Sequence, residues 1–281
     1  MVSFLWVHNL SPFLFQMQLG GQTVGVRWYG LAYVLGLFAA FFVFRYAARC
    51  GYLAGLDGEA QGQMMVAVTA GVLGSGRLGY VLQHPGRLLS DPLFGFRVWE
   101  GGMAFYGGLV GVIVALLWTA RRYGLSFWTL ADVAAFPAAF GLGVGRIANF
   151  VNGELWGRPT GGDWGVIFPQ VDNLPRHPSQ LYEAASHFLL LGVLVWLPLR
   201  RPHLARERSG VFAALFLALY GALRFLTDFY RADDTYFGPF SSGQWASLLV
   251  AAIGVGLLLR PALPQKKAPA HEAHGKYFHA E

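Results

Sequence analysis

Seven long runs of apolar residues follow one another along the chain, separated by short polar or Gly- and Pro-containing segments. An α-helix needs about 20 mostly apolar residues to cross the hydrocarbon core of a bilayer. The pattern therefore predicts seven transmembrane helices. We place them near Val24–Tyr46, Met64–Leu82, Met103–Ala120, Phe127–Ile147, Leu181–Leu199, Val211–Tyr230 and Ala246–Leu259.

The composition agrees with this pattern. Of the 281 residues, 55% are apolar and only 13% are charged, and the mean hydropathy is +0.43. Soluble domains carry about twice that share of charged residues. The predicted fold class is an all-α integral membrane protein.

The two ends of the chain depart from the apolar pattern. Residues 1–20 lack a basic start, and His8 and Pro12 interrupt their apolar run, so we expect an interfacial segment rather than a cleavable signal peptide. Residues 263–281 are polar, and we expect a flexible cytoplasmic tail. Its histidines match no metal-ligand spacing, and we expect neither a metal nor a cofactor. Residues 21–262 then form one seven-span catalytic domain, in which 151–177 is a periplasmic loop.

Lysine and arginine are distributed unequally between the two sides of the predicted bundle. Twelve of them fall on the side of Arg45 and Arg49 and six on the other, which predicts an outside N-terminus and a cytoplasmic C-terminus. Cytoplasmic retention and anionic lipid account for the net charge of +6. We therefore expect no nucleic-acid partner. Small residues at helix-contact spacing, Gly107 with Gly111 and Gly141 with Gly145, predict closely packed helices.

The polar residues in and beside the spans gather at the predicted outer side. An ionisable group inside a span is costly and is by default a functional-site hypothesis. The loop that follows the fourth span is rich in Trp, Gly and Pro, which suggests an ordered cap on the periplasmic side. The outer-side polar residues are Arg27, Tyr29, Arg77, Tyr106, Arg146, Asn149, Asn152, Glu154, Arg158, Arg224 and Asp228.

Helical spacing pairs some of these residues. Arg146 and Asn149 are three apart and share one helix face, while Arg224 and Asp228 are four apart and can pair across one turn. A structural ion pair explains Arg224 and Asp228 equally well. Arginine forks match phosphate oxygens and stay charged at any working pH, so a phosphodiester head group is the expected ligand. For His177, just before the fifth span, a helix-start role is favoured over catalysis.

Several motifs then resemble one family. The sequence is similar to bacterial phosphatidylglycerol:prolipoprotein diacylglyceryl transferases, whose signature resembles the segment from Gly145 to Arg158, GRIANFVNGELWGR. Further matching segments run in order across almost the whole chain: Arg27–Tyr33, Gly76–Tyr80, Arg97–Gly111, Arg176–Glu183 and Tyr220–Arg224.

The resemblance implies the reaction and its partners. It implies transfer of the diacylglyceryl group from phosphatidylglycerol to the lipobox cysteine of a prolipoprotein signal peptide, with glycerol phosphate released, in a bacterial inner membrane. Membrane lipid is thus an expected partner in two ways, as the surrounding bilayer and, in the form of phosphatidylglycerol, as a substrate. The functional positions that the resemblance carries over are Tyr29, Arg146, Asn149, Glu154, Gly157 and Arg224, and we add Gly107 and Gly108 to the substrate-binding set.

Two positions depart from the family pattern. Tyr106 stands where the family has a histidine that is assigned as the thiol's base, and Asp228 stands where it has glutamate. Tyrosine titrates near pH 10 and is a poor base at neutral pH. We therefore favour activation of the thiol by the field of Arg146 and Arg224, with Glu154 or Asp228 accepting the proton. Asn149 and Tyr29 are expected to hold phosphate or glycerol oxygens.

Two other classes of membrane protein remain as alternatives. A lipid or solute transporter would show inverted repeats and a binding site near the bilayer midplane. A metal-dependent phospholipid transferase would need clustered aspartates for magnesium. Asp132, Asp228 and the pair Asp233 and Asp234 are too dispersed for that.

Overall fold

The computed structural model describes residues 4–19, 22–97, 101–201, 203–232 and 235–260. Within these ranges, seven helices are long and apolar enough to cross a membrane, which confirms the predicted spans. The expected tail at 263–281, and Asp233 with Asp234, lie outside the described residues. The helices are α1 (Trp28–Arg49), α2 (Gly58–Leu82), α3 (Pro85–Ser90), a 3₁₀ turn (Pro92–Phe96), α4 (Phe105–Arg122), α5 (Phe127–Asn152), α6 (Ser179–Arg200), α7 (Leu204–Glu207), α8 (Val211–Asp228) and α9 (Ser242–Leu259).

Four span boundaries differ from the prediction by four residues or more. The second span begins at Gly58 rather than Met64, and the seventh begins at Ser242 rather than Ala246, each just after a capping side chain, Asp57 and Ser241 respectively. The first span begins at Trp28 rather than Val24, because β3 (Gln22–Arg27) pairs antiparallel with β2 (Phe13–Leu19) immediately before it. The fourth span extends past Ile147 to Asn152 and ends at Gly153, which has the left-handed φ of 69° that glycine adopts at helix ends. Asn149 and Asn152 are therefore helical residues.

A small sheet covers one end of the bundle. β1 (Phe4–Val7) pairs parallel with β4 (Trp164–Ile167), and β4 pairs antiparallel with β5 (Pro175–Arg176). The His8 ring lies 2.8 Å from the Phe150 carbonyl through Nε2, which ties this sheet to the end of α5. A third pair of short strands, β6 (Tyr236–Phe237) and β7 (Phe240–Ser241), precedes α9. The segment after α5 is thus ordered, as the sequence suggested; its periplasmic placement stays a prediction.

Close approaches of backbone hold neighbouring spans together. A Cβ on Gly111 would lie 2.1 Å from the Gly71 carbonyl oxygen, and one on Gly107 would lie 2.2 Å from the Ser75 oxygen. Only glycine permits α2 and α4 to approach this closely, which confirms the packing predicted for Gly107 and Gly111. At Gly141 a Cβ would lie 3.8 Å from the Gly36 Cα, whereas Gly145 has open space around it.

The buried apolar residues lie mainly away from the sheet-covered end. One cluster joins the last turns of α1 and α4 to the first turns of α2 and α5, with Phe44, Met64 and Leu130 among its members. A second cluster joins α5, the later half of α6 and the first turn of α8, including Leu194 and Phe212. The apolar half of the bundle therefore supplies the packing, and the opposite half of these helices is free to carry polar groups.

Asp132 connects two spans in this apolar half. The carboxylate is fully buried and accepts hydrogen bonds from the backbone N–H groups of Gly210 at 2.6 Å and Ala213 at 2.9 Å, at the start of α8. It also accepts one from the Tyr52 hydroxyl at 3.1 Å. Burial and the nearby Asp132 charge raise the pKa of Tyr52, which lies in the loop after α1. Asp132 thus caps a helix N-terminus and is not available as part of a metal site.

Candidate functional site

One buried carboxylate, that of Glu183, forms ion pairs with arginines from two other helices and from the segment after α8. Glu183 lies in the second turn of α6 and is 1% exposed. Its oxygens are 2.7 Å from Nε of Arg146 on α5 and 2.6 Å from Nη1 of Arg224 on α8. Nη1 of Arg231, just after α8, is 3.7 Å away. We refer to Glu183, Arg146, Arg224 and Arg231 as the Glu183 cluster.

Two predicted pairings extend the Glu183 cluster. Nη2 of Arg224 lies 2.8 Å from the Asp228 carboxylate, so the pairing across one turn is confirmed. Arg146 donates from Nη1 to the Asn149 side-chain oxygen at 3.3 Å, which confirms that these two residues share a face. Asn149 in turn donates to the Glu154 carboxylate at 3.2 Å. Five of the predicted site residues are therefore connected through side-chain contacts.

The turn between α5 and α6 positions these groups. Leu155 adopts a positive φ of 58°, uncommon for a residue with a side chain, and the chain turns back toward α6 there. Gln180 donates to the Glu154 carbonyl at 2.6 Å, and Ser179 donates to the Leu155 carbonyl at 3.0 Å. The start of α6 is thereby attached to the end of α5. As a result, Glu183 faces Arg146 across a fixed distance.

The Glu183 cluster carries an excess of positive charge. Arg146, Arg224 and Arg231 supply three positive charges, and Glu183 with the adjoining Asp228 supplies two negative ones, which leaves +1 for these five residues. The Glu154 carboxylate, bonded by Asn149, is exposed to solvent. Burial and the neighbouring Arg224 charge lower the pKa of Arg231. The three arginine side chains are 12–18% exposed. A buried cationic excess that remains accessible at one end of a bundle favours the binding of an anion.

Gly157 and Gly107 have packing roles that their local geometry explains. A Cβ on Gly157 would lie 2.4 Å from the His177 carbonyl oxygen and 2.6 Å from that of Tyr230. Its N–H donates to His177 at 3.0 Å, so this glycine lets the segment between α5 and α6 lie against the one after α8. Gly107 is required for the contact between α2 and α4. Gly108 has ordinary space around it, with the Val72 oxygen at 3.8 Å.

Tyr29 and Tyr106 lie outside the network of side-chain contacts. The half-buried Tyr29 ring lies 5.7 Å from that of Tyr33 on α1. Tyr106 is 69% exposed and lies at the start of α4, within electrostatic reach of Tyr220. Among the described residues, no hydrogen bond or ion pair connects either tyrosine to Glu183.

Arg77 shows that an intramembrane cation can serve structure alone. It is 5% exposed and donates to five backbone carbonyls of the segment between α2 and α4: those of Phe94, Gly95, Arg97, Gly101 and Gly102. Its guanidinium also lies 4.9 Å from the centre of the Phe94 ring. The sequence correctly placed this arginine at the polar end of the bundle. Its five acceptors lie in a loop whose course the sequence did not indicate.

Glu183 and Arg231 are the site residues that the sequence prediction missed. Glu183 is a carboxylate inside a predicted span, which is the signal that identifies intramembrane functional groups. Which arginines face Glu183 depends on the arrangement of the helices, which the sequence does not show. His177 itself lies among the rings of Trp164, Tyr182 and Tyr230, at centroid distances of 5.0 Å, 6.0 Å and 5.0 Å. Burial lowers its pKa.

Comparison with known proteins identifies close relatives. The family model described as prolipoprotein diacylglyceryl transferase matches residues 15–260. A protein of Nitrosomonas europaea named phosphatidylglycerol--prolipoprotein diacylglyceryl transferase is 44% identical over 241 residues, 84% of this chain and 85% of the relative. Proteins with the same name from Bordetella bronchiseptica and Geobacter sulfurreducens are 41% and 45% identical, over 87% and 82% of this chain and 94% and 88% of their own lengths.

Replacing Glu183 by glutamine tests whether this carboxylate holds the cluster together. The change leaves neighbouring guanidinium groups buried without their counter-charge, a loss that typically costs about 3–5 kcal/mol. We expect the midpoint of thermal unfolding in detergent to fall by roughly 5 °C or more. Glu59→Gln, the same change on the exposed side of α2, is the matched control and should leave the midpoint nearly unchanged. Equal midpoints for both variants would contradict a structural role for Glu183.

Proposed function

The chain belongs to the prolipoprotein diacylglyceryl transferase family, and we propose that it transfers the diacylglyceryl group of phosphatidylglycerol to the lipobox cysteine thiol of a prolipoprotein. The product is a thioether, and glycerol phosphate is released. The observation that carries the proposal is the Glu183 cluster, in which three arginines surround one buried carboxylate at one end of the spans. The protein is a multi-pass membrane protein.

We further propose that it lies in the bacterial inner membrane with the Glu183 cluster in the outer leaflet. The excess of Lys and Arg on the side of Arg45 and Arg49 supports this orientation, because such residues are retained in the cytoplasm. The cap formed by β1, β4 and β5 would then face the periplasm. The signal peptide of the prolipoprotein and the phospholipid would both enter between helices from the outer leaflet.

In this proposal Arg146 and Arg224 hold the phosphate. Both forks are already oriented by an oxyanion, the Glu183 carboxylate, at 2.7 Å and 2.6 Å. When the glyceryl carbon–oxygen bond breaks, the phosphate gains a second negative charge. Because the arginines interact more strongly with that dianion than with the diester, they lower the barrier rather than merely binding the lipid.

The nucleophile comes from the substrate. A cysteine thiol titrates near pH 8.5, so only a few per cent is ionised at neutral pH. The cationic excess of the Glu183 cluster would raise the thiolate fraction of a thiol that approaches it. Asn149, which bonds Arg146, and Tyr29, at the start of α1, would donate hydrogen bonds to phosphate or glycerol oxygens.

The remaining predicted residues take supporting roles in this proposal. Gly107 and Gly157 permit the close packing of α2 with α4 and of the segments after α5 and α8, and Gly108 stays in the proposed substrate-binding set as the neighbour of Gly107. Glu154 is exposed and bonded by Asn149, and Asp228 is buried and paired with Arg224; from the sequence, these were the two carboxylates favoured to accept the thiol proton. The location of the Glu183 cluster at the helix ends, rather than at their middle, supports a transferase over a transporter.

The direct test of the function is mass spectrometry of a lipobox peptide incubated with the purified protein and phosphatidylglycerol. We expect a thioether-linked diacylglyceryl adduct on the peptide cysteine. A peptide with serine in place of that cysteine is the control. Absence of the adduct under conditions in which a related transferase is active would overturn the proposal in favour of a transporter or another lipid enzyme.

Arg146→Ala tests the phosphate clamp. Removing a preorganised partner of the developing charge typically lowers turnover by about 100-fold or more, and we expect a loss of this size in adduct formation. Arg49→Ala, an exposed arginine at the other end of α1, is the control and should retain activity. Retention of most of the activity in Arg146→Ala would refute the clamp.

Tyr106→Phe tests whether the tyrosine in the family's histidine position acts as a base. A phenol hydroxyl is in general a poor base at neutral pH, so its removal should lower the rate by less than about tenfold. The measurement is the initial rate of adduct formation at saturating phosphatidylglycerol. A loss above about a thousandfold, typical for removal of an essential acid–base group, would show that Tyr106 takes part in proton transfer.

A further inference from the structure

One buried histidine next to the Glu183 cluster has no role in the proposed function so far. His187 is 3% exposed and lies four residues after Glu183 on α6, on the same helix face. The imidazole interacts with the Glu183 backbone carbonyl one turn earlier. An ionisable side chain buried inside a span is by default a functional-site hypothesis.

The surroundings of His187 come from three helices. Arg146 on α5, Arg224 on α8 and Glu183 on its own helix are the charged groups that act on it. The Tyr220 ring on α8 lies against the imidazole, with ring centroids 5.5 Å apart. Tyr220 precedes Arg224 by one turn, as His187 follows Glu183 by one turn. His187 and Tyr220 thus form a layer directly beneath the arginine layer, about 6 Å further from the helix ends.

The depth of His187 in the membrane places it on the side from which the substrate thiol attacks the glyceryl carbon. A phospholipid places its phosphate nearest the membrane surface and its glyceryl carbon and acyl chains nearer the bilayer middle. Displacement in line requires the thiol to approach that carbon from the side opposite the phosphate oxygen, which is the deeper side. Glu154 and Asp228 lie on the helix-end side of Arg146 and Arg224, with the leaving group. His187 lies on the deeper side, with the nucleophile.

We propose that His187 accepts the thiol proton in the transfer, an inference that rests on the function proposed above. The S–H bond breaks and its proton goes to the unprotonated ring nitrogen that a neutral imidazole always has. The sulfur electron pair forms the carbon–sulfur bond, and the carbon–oxygen pair leaves on the phosphate. The imidazolium that results lies one turn from the Glu183 carboxylate, and its proton then passes to the released phosphate monoester.

A pH series separates this role from a structural one. We expect His187→Gln to lower the rate of adduct formation by about 100-fold or more at pH 7. In this variant the rate depends on spontaneous ionisation of the thiol. The ratio of unmodified to variant rates should therefore fall by about tenfold per pH unit as the thiol pKa near 8.5 is approached. A packing defect would instead give a ratio that does not change with pH.

Two further measurements make the result decisive. His203→Gln, the same change at an exposed position near the opposite end of the bundle, should behave as the unmodified protein at every pH. His187→Asn, with a shorter amide, should reproduce the pH-dependent ratio if the lost property is basicity. Thermal unfolding in detergent shows whether each variant is folded at the assay temperature.

The outcomes distinguish the inference from the function on which it rests. If the unmodified protein forms no adduct, the proposed function fails. If the unmodified protein is active and both His187 variants lose the same factor at every pH, or lose nothing, the inference about His187 is wrong and the function stands. If Tyr106→Phe rather than His187→Gln shows the pH-dependent ratio, the proton acceptor is Tyr106.

Discussion

The polar end of the bundle depends on the burial of one carboxylate, that of Glu183. A carboxylate inside a membrane protein is stable only when positive charge or hydrogen bonds replace the water that it has lost. Glu183 meets this condition with guanidinium groups from α5, α8 and the segment after α8. Those partners have to converge from distant parts of the sequence, and their convergence defines the polar end of the bundle, where we propose that the phosphate binds.

The rest of the fold can be understood as support for this convergence. Apolar clusters and glycine contacts in the other half of the bundle fix the helices without using polar groups. Asp132 on α5 accepts hydrogen bonds from backbone N–H groups at the start of α8. These bonds fix the end of α8 that lies opposite Arg224. Arg77 is likewise a buried charge with compensating partners. It donates to five backbone carbonyls of the segment before α4, and these take the place of a counter-ion.

The seven spans and the pairs within one helix were predictable because they depend on local pattern. Arg224 with Asp228, and Arg146 with Asn149, follow from the periodicity of an α-helix. The central position of Glu183 was not predictable in this way, because it depends on how α5, α6 and α8 are arranged around one another. The hairpin of β2 and β3 was missed because β2 was predicted to lie in an interfacial segment and the end of β3, from Val24, was predicted to begin the first span. His187 lies inside the predicted fifth span, which marks it as a candidate functional group. Its proximity to Tyr220 and to the arginines of the Glu183 cluster depends on helix packing and was not predictable from the sequence.

The pairing of β1 with β4 has a consequence for the order of events during synthesis. The His8 side chain contacts the Phe150 carbonyl, 142 positions later, so the first strand has no partner until the fourth span has been made. At typical rates of elongation this wait lasts about 10–30 s. Through that interval the N-terminal segment has to remain on its side of the membrane while α1 to α5 are inserted in turn. The β1 strand thus becomes ordered after helices that follow it in the sequence, and it then pairs with β4 over the end of α5.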